Sequence, residues 1–496
     1  MTSGTSLTRR CFARIATLGH WRQSENTPWI LNGYNVVRLC KIGALLWLLG
    51  CAHAPESPLS WEQARASAHY TVTIFDNFRG ARVRLCLEGA KVDHLVPIGA
   101  SAPGELRGAW IGGEPLDTAQ GRIQLLQPAR SSCIDYETRF RTPAFRTLNS
   151  AGVIVSQTQW LWRPDPFPPE LEASVRFVLP ADGQVSLPWP RSDDTYFPNE
   201  SAFFAGAYAV FGSFDRQVFS VADIKVDVVR LGPRPPDDDI RRWLGRAVQT
   251  TASVGRRFPR DTLHFIIVPG PSQGKPVVFG MVRRGGGSSI LLVPSPDATA
   301  EQLDADWVAI HELSHLWLPN LYPRDRWLSE GLATYLQEVL RARCGLQSGE
   351  RAWGRLREGF ERGRRSGTGR HLANESRDMN RTGAYHRVYW AGAAFALETD
   401  VRLRKNSGGE MTLLRAIGAA QPIWGSEARP VASSVLLDAL QEVSGAGFIE
   451  ELGDKYAASA EFPGNTYLDS PRYRDIRTQI TAGASDACEV SVEPFR

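Results

Sequence analysis

The stretch HELSHLWLPNLYPRDRWLSEGLATY runs from His311 to Tyr335. Its histidines are four residues apart, so on a helix both imidazoles leave one face about a turn apart and can reach the same ion. A catalytic zinc takes three protein donors, nitrogen or oxygen, and keeps a fourth position for water. His311 and His315 supply two donors. Glu330 supplies the third from a second helix, because Pro319 stops the first helix and the fourteen residues between His315 and Glu330 let the chain turn back. Glu312, beside the first histidine, can take a proton from water activated by one Zn2+ ion and pass it to a leaving amine.

Working outward, the elements around this stretch are helical. Thr299 with Gln302 forms a capping-box pattern for a helix expected to run through to Leu318. A further helix is expected from about Ser329 to the glycine cap at Cys344-Gly345. The Gly/Arg-rich segment Arg355 to Arg370 reads as a mobile loop, and helical patterns resume at Arg387–Arg404, Met411–Ala420 and Ser434–Ala457. Upstream, TLHFIIV and SSILLV read as buried strands separated by the loop GKPVVFGMVRRGGG, and a helix starting at Ile240 stops near Phe258-Pro259. Before the linker LGPRPPDDD the pattern changes to period two: YTVTIF, RVRLCL, ASVRFVLP and VADIKVDVVRL read as strands. The expected fold class is α+β. An N-terminal β-sandwich or saddle-like domain at 61–231 precedes a mostly helical domain at 237–480, with a C-terminal tail at 481–496.

The net charge is +4, but residues 1–50 hold six Lys/Arg and one Glu, leaving 51 basic against 52 acidic residues elsewhere. The basic excess belongs to the leader, and no nucleic-acid partner is expected. In that 1–50 leader, Arg38 and Lys41 precede an apolar run, Ile42 to Leu49, and Gly50-Cys51 closes a lipobox-like Leu48-Leu49-Gly50-Cys51. The pattern expects cleavage before Cys51, lipidation of that cysteine, and a tether at 51–60 holding the protein to a membrane. An ordinary cleaved signal is the alternative; the run is short for a span. Cys11 and Cys40 leave with the leader, so Cys86, Cys133, Cys344 and Cys488 remain for two disulfides. Three pairings are open; Cys86–Cys133 and Cys344–Cys488 each stay within one expected domain.

HELSHLW followed by WLSEGLATY resembles the gluzincin metallopeptidases, and among them the glycyl aminopeptidase family, distantly related to aminopeptidase N. The resemblance covers about Thr262 to Arg404. It implies a thermolysin-like catalytic domain behind a β domain, with His311, His315 and Glu330 as zinc ligands and Glu312 as general base. It also implies a tyrosine opening a later helix, matched by Tyr389 in RVYWAGAAFALETD, whose hydroxyl meets the oxyanion that forms only in the transition state. Tyr385 and His386 are its neighbouring competitors. His264, inside an apolar strand, reads as a packed histidine, and His371 and Asp378 carry no signal.

Two departures bear on specificity. The loop 316–329 is shorter than the family's, and FGMVRRGGGSSILLV lacks the glutamate with which aminopeptidase relatives hold a substrate α-amine. Gly280, Arg283 and Arg284 become candidate substrate-binding residues; the arginines would attract a carboxylate and repel an ammonium, or else sit in a solvated hairpin turn. The strand Ser289–Val293 is a candidate edge for an extended peptide. The expectation is a zinc metallopeptidase of the bacterial cell envelope, lipid-anchored and facing the periplasm, acting on a peptide or protein. The alternatives are a non-catalytic, zinc-containing binding or scaffold protein, or a strict aminopeptidase.

Overall fold

A computed structural model describes residues 65–99, 102–141, 152–272, 274–425, 429–483, 488 and 492–494. The expected leader, tether and Cys51 lie outside the described residues. Alternation builds the first region. In Ser67–Ile74, Ala68, Tyr70, Val72 and Ile74 point inward while His69, Thr71 and Thr73 face solvent. This strand pairs antiparallel with Gly80–Pro97 and parallel with Glu172–Val178, inside a nine-stranded sheet. A three-stranded sheet made by Gly152–Ser156, Gln184–Ser186 and Tyr208–Gly212 closes over the same apolar core, which includes Tyr70, Tyr136, Trp160, Trp162 and Phe211. Cys86 and Cys133 sit opposite each other across Gly80–Pro97 and Ile123–Arg139 and are bonded, as are Cys344 and Cys488.

The second region is organised by a six-stranded sheet containing β1 (Asp215–Val221), β2 (Ile224–Arg230), β3 (Thr262–Ile267), β4 (Val277–Arg284), β5 (Ser288–Pro294) and β6 (Val492–Pro494), in the order β4-β5-β3-β2-β1-β6. β2, β3 and β5 run parallel, and helix α1 (Asp237–Ala252) makes the crossover from β2 to β3. Leu263, Phe265, Ile267, Ile290 and Leu292 face the helices, while Ile266, Leu291 and Val293 pack on Ile154, Tyr208 and Val210 of the first region. Burial on both faces is why these strands read as continuous apolar runs.

Several expectations change here. β1 and β2, assigned by sequence to 61–231, are hydrogen-bonded into the second sheet, so the seam between sheets falls between Gly212 and Asp215. The expected loop before SSILLV contains strand β4, antiparallel to β5. β5 is therefore interior, paired on both sides, and the edge is β4 rather than Ser289–Val293. Its apolar content reflected burial, which a sequence pattern cannot separate from an accessible edge.

The helix expected from Thr299 to Leu318 is broken into α2 (Ala300–Asp304), α3 (Val308–Ser314) and a 3-10 turn at His315–Trp317. The break has two causes: the Asp306 carboxylate accepts the Val308 N–H at 2.7 Å, and Arg341 donates to the Ala305 carbonyl at 2.6 Å. Helix α4 (Arg326–Arg343) begins before Ser329. The presumed mobile loop is helix α5 (Gly349–Arg365), and its glycines are contact points. A Cβ on Gly359 would lie 2.3 Å from the Trp390 ring, and one on Gly363 2.3 Å from Phe462. Helices α6 (Leu372–Thr382) and α7 (Tyr385–Asn406) follow. The expected helix Ser434–Ala457 is two, Ser433–Ser444 and Ile449–Ala458, parted by a left-handed cap at Gly445 with φ 63°. Among the described residues no helix is long and apolar enough to cross a membrane.

Candidate metal centre

Every residue of α3 is buried, so His311 and Glu312 are held in a packed helix, and His315 continues from it with helical dihedrals, φ −59° and ψ −28°. The i,i+4 relation therefore survives the switch to 3-10 geometry, and the two imidazole centroids lie 4.9 Å apart. Helix α4 brings Glu330 alongside. Its Oε2 is 3.4 Å from His311 Nε2 and 3.4 Å from His315 Nε2. The edge of a tetrahedron with bonds of ~2.1 Å is ~3.4 Å, so these separations suit three ligands around one small divalent ion.

Each imidazole is oriented from behind. His311 Nδ1 lies 2.8 Å from Gln337 Oε1, which can only accept, so the proton sits on Nδ1 and the Nε2 lone pair faces Glu330. His315 Nδ1 lies 2.9 Å from Ser329 Oγ. Gln337 is itself fixed by donating to Glu338 Oε1 at 3.0 Å, and Gln347 donates to Glu338 Oε2 at 2.9 Å. Burial alone would raise the Glu330 carboxyl, but His315 and His311 hold it well below the ordinary range. For His311 burial pulls the other way, and the Glu330 and Glu312 carboxylates outweigh it and raise the imidazole.

Glu312 is 9% exposed, and its Oε2 accepts the backbone N–H of Val282 on β4 at 2.8 Å. The approach requires a glycine at 280: a Cβ there would lie 2.5 Å from Val308 Cγ1 and 2.8 Å from Glu312 Cγ. Burial raises the Glu312 carboxyl, partly offset by the two histidines. A carboxylate moved toward neutrality is a more effective proton acceptor.

Tyr389 stacks on His311, with centroids 6.0 Å apart and planes 11° from parallel. Its place follows from two glycines. α4 and α7 cross where a Cβ on Gly331 would meet Gly392 at 2.2 Å, one turn beyond Tyr389 and one residue beyond Glu330. Burial, then the Glu330 and Glu312 charges, push the Tyr389 phenol far up, so it remains a protonated donor. Tyr385 is exposed, with its hydroxyl 3.3 Å from Asn380 Oδ1, and His386 is exposed.

The structure brings together His311, Glu312, His315, Glu330, Tyr389 and Gly280. Two predicted substrate residues turn elsewhere. Strand alternation sends Arg283 to the side opposite Gly280 and Val282, where its guanidinium lies 5.8 Å from the Tyr208 ring centre. Arg284 donates to the carbonyls of His315 and Leu318, closing the end of the 3-10 turn. Arg283 thus lies against Tyr208, and the Arg284 guanidinium is occupied by two backbone carbonyls. His264 is buried, with Nε2 2.9 Å from Ser186 Oγ, and Asp378 sits in a surface arginine cluster with Arg370 at 2.6 Å. Gln337 and Ser329 were not foreseen; Gln337 lies two turns after Glu330 on the same helical face, a legible but weak signal.

Comparison with known proteins finds no matching family model and no matching curated protein. Among solved structures, the chain is similar to one described as an aminopeptidase N family protein from Idiomarina loihiensis, at 17% identity. That similarity covers 81% of this chain and 77% of the other, with a TM-score of 0.63. The chain thus has an α+β fold distantly like that of an aminopeptidase N family protein.

Proposed function

We propose that this protein is a gluzincin-type zinc metallopeptidase with a thermolysin-like catalytic region. The observation that carries the reading is the pair of 3.4 Å separations from Glu330 Oε2 to the two Nε2 atoms, with both Nδ1 atoms engaged from behind. The donor set of two imidazoles and one carboxylate fits zinc. When bound, the ion would supply Lewis acidity and lower the pKa of a coordinated water. Glu312, anchored by the Val282 amide on the edge strand, accepts a proton from the attacking water and delivers it to the departing amine. The Tyr389 hydroxyl donates to the oxyanion. β4 is the edge strand of its sheet and passes beside Glu312. An extended peptide would pair along it at the backbone groups other than the Val282 amide, which Glu312 engages.

An envelope location completes the proposal, with lipid on Cys51 tethering the chain in the periplasm; Cys51→Ser should then release it from the membrane fraction. The enzymatic reading is tested by cleavage of a peptide library with and without chelator, using N-acetylated and free-amine sets. Chelator-sensitive cleavage supports it. Equal cleavage of both sets assigns endopeptidase action, and loss with acetylation assigns an aminopeptidase. Stoichiometric zinc without any cleavage would favour the scaffold alternative.

A further inference from the structure

Beside the centre lies a cavity of about 910 Å³ whose walls include Phe279, Trp307, Tyr385, Tyr389 and Trp390. It adjoins the candidate reaction site through Tyr389, whose ring stacks on His311. Gln337, which holds His311, lines it, and Trp307 stands edge-on to His311 with centroids 5.7 Å apart. Trp307 is 38% exposed and Tyr385 42%, so two of the cavity's walls present aromatic surface to water side by side with Tyr389 and Trp390.

The opposite wall is α5. Arg351, Gly354, Arg355, Glu358 and Arg362 line the cavity, and their spacing places them on one stripe of the helix. Arg362 lies 5.3 Å from the Trp390 ring centre and 3.8 Å from Glu358. Arg351 and Arg355 are like charges at i,i+4, a repulsive spacing, and neither has an ion pair among the described residues. Glu338, the other acid in the wall, is already engaged by Gln337, Gln347 and Arg341. The cavity is thus aromatic within and positive at the rim.

We propose, resting on the peptidase reading above, that this cavity is the specificity pocket and takes a bulky aromatic or aliphatic side chain of the substrate. Arg351 and Arg355 receive a carboxylate next to it in sequence. That carboxylate is either an acidic side chain or the peptide's own C-terminus. Arg351 and Arg355 are specificity residues here, acting on binding and not on the bond-breaking step.

Gly354 supplies a clean probe. A Cβ there meets nothing within 4 Å, and Gly354 lines the cavity, so a side chain leaves the helix without a clash at its root and into the cavity. Replacing a helical glycine also removes a conformational cost. The experiment compares kcat/KM for eight peptides: Phe or Ala at the varied position, each followed by Glu or Gln, each with a free or an amidated C-terminus.

Phe with a neighbouring carboxylate should be preferred over Ala with Gln by about tenfold or more. Gly354→Phe should collapse the Phe-to-Ala ratio, and Arg351→Glu with Arg355→Glu should reverse the Glu-to-Gln ratio, mostly through KM. Amidation removing the preference would assign the carboxylate to the C-terminus; an unchanged preference would assign it to the side chain. Cleavage with no such selectivity, or selectivity untouched by these variants in protein of unchanged melting temperature, overturns the pocket while leaving the peptidase reading intact. If no peptide is cleaved, the peptidase reading fails, and calorimetric binding of N-acetyl-Phe-Glu to the full chain, lost in Gly354→Phe, still decides whether the cavity holds this ligand.

Discussion

His264 on β3 and His311 on α3 are both sealed from solvent, on opposite faces of one sheet. At His264 burial dominates and lowers the imidazole from its ordinary 6.5 to about 4, the Asp227 charge opposing only in part because Arg216 engages Asp227 at 2.8 and 2.6 Å. At His311 burial is equally severe, yet the Glu330 and Glu312 carboxylates reverse its effect. One site is a neutral packed histidine bonded to Ser186; the other is a concentration of opposite charge that no apolar core requires. Burying several ionisable groups together is costly even when they pair, and such clusters are enriched at functional sites. Two buried histidines of the same chain therefore differ through their neighbours, not through their burial.

The sharpest way to break this comparison is Glu312→Gln, which keeps the hydrogen-bond shape but cannot accept a proton. Peptide hydrolysis should fall by ~10²–10⁴-fold, read as kcat, while zinc content stays at the wild-type level. An unchanged rate would remove Glu312 from the chemistry.

The His264 side of the contrast predicts a pH effect on stability. Its folded pKa is depressed, so the unfolded chain takes up the proton first as pH falls through 6.5. Stability present above pH 6.5 should decline until about pH 4, by ~3 kcal/mol from this group. Denaturant unfolding between those limits should show the slope in wild type and a shallower one in His264→Gln. Equal slopes would mean that His264 is not held neutral.

The smallest effect sharpens the other side. Gln337→Ala removes the acceptor that fixes His311, and zinc affinity should weaken by ~10–100-fold in a chelator competition, with the ligands themselves untouched. No change would show that the ring is held by packing against Tyr389 and Trp307 alone.

What the sequence made legible follows from how local each signal is. His311, Glu312 and His315 are set by helical periodicity, and Glu330 by the helix that Pro319 and Pro323 force the chain to turn into, so their convergence could be read in advance. The β-to-helix change around Leu231 was visible too. The pairing of β1 and β2 with β3 was not, since strand partners are chosen by tertiary burial. Likewise β5 looked like a usable edge because its residues say that they are buried but not which neighbours bury them. The glycines of α5 suggested a loop, whereas Gly359 and Gly363 exist to admit Trp390 and Phe462. Arg283 turns away for a similar reason, since one residue of strand phase carries it from the Gly280 face to Tyr208, whereas Arg284 shares the Gly280 face and is taken up by the His315 and Leu318 carbonyls.

In the proposed centre Glu330 and the two histidines hold one ion. Elemental analysis of purified full-length protein after exhaustive dialysis tests it most directly, comparing wild type with Glu330→Ala. One zinc per chain is expected in the wild type and none in the variant. A metal-free wild type, or a variant that keeps its zinc at full stoichiometry and affinity, would contradict it.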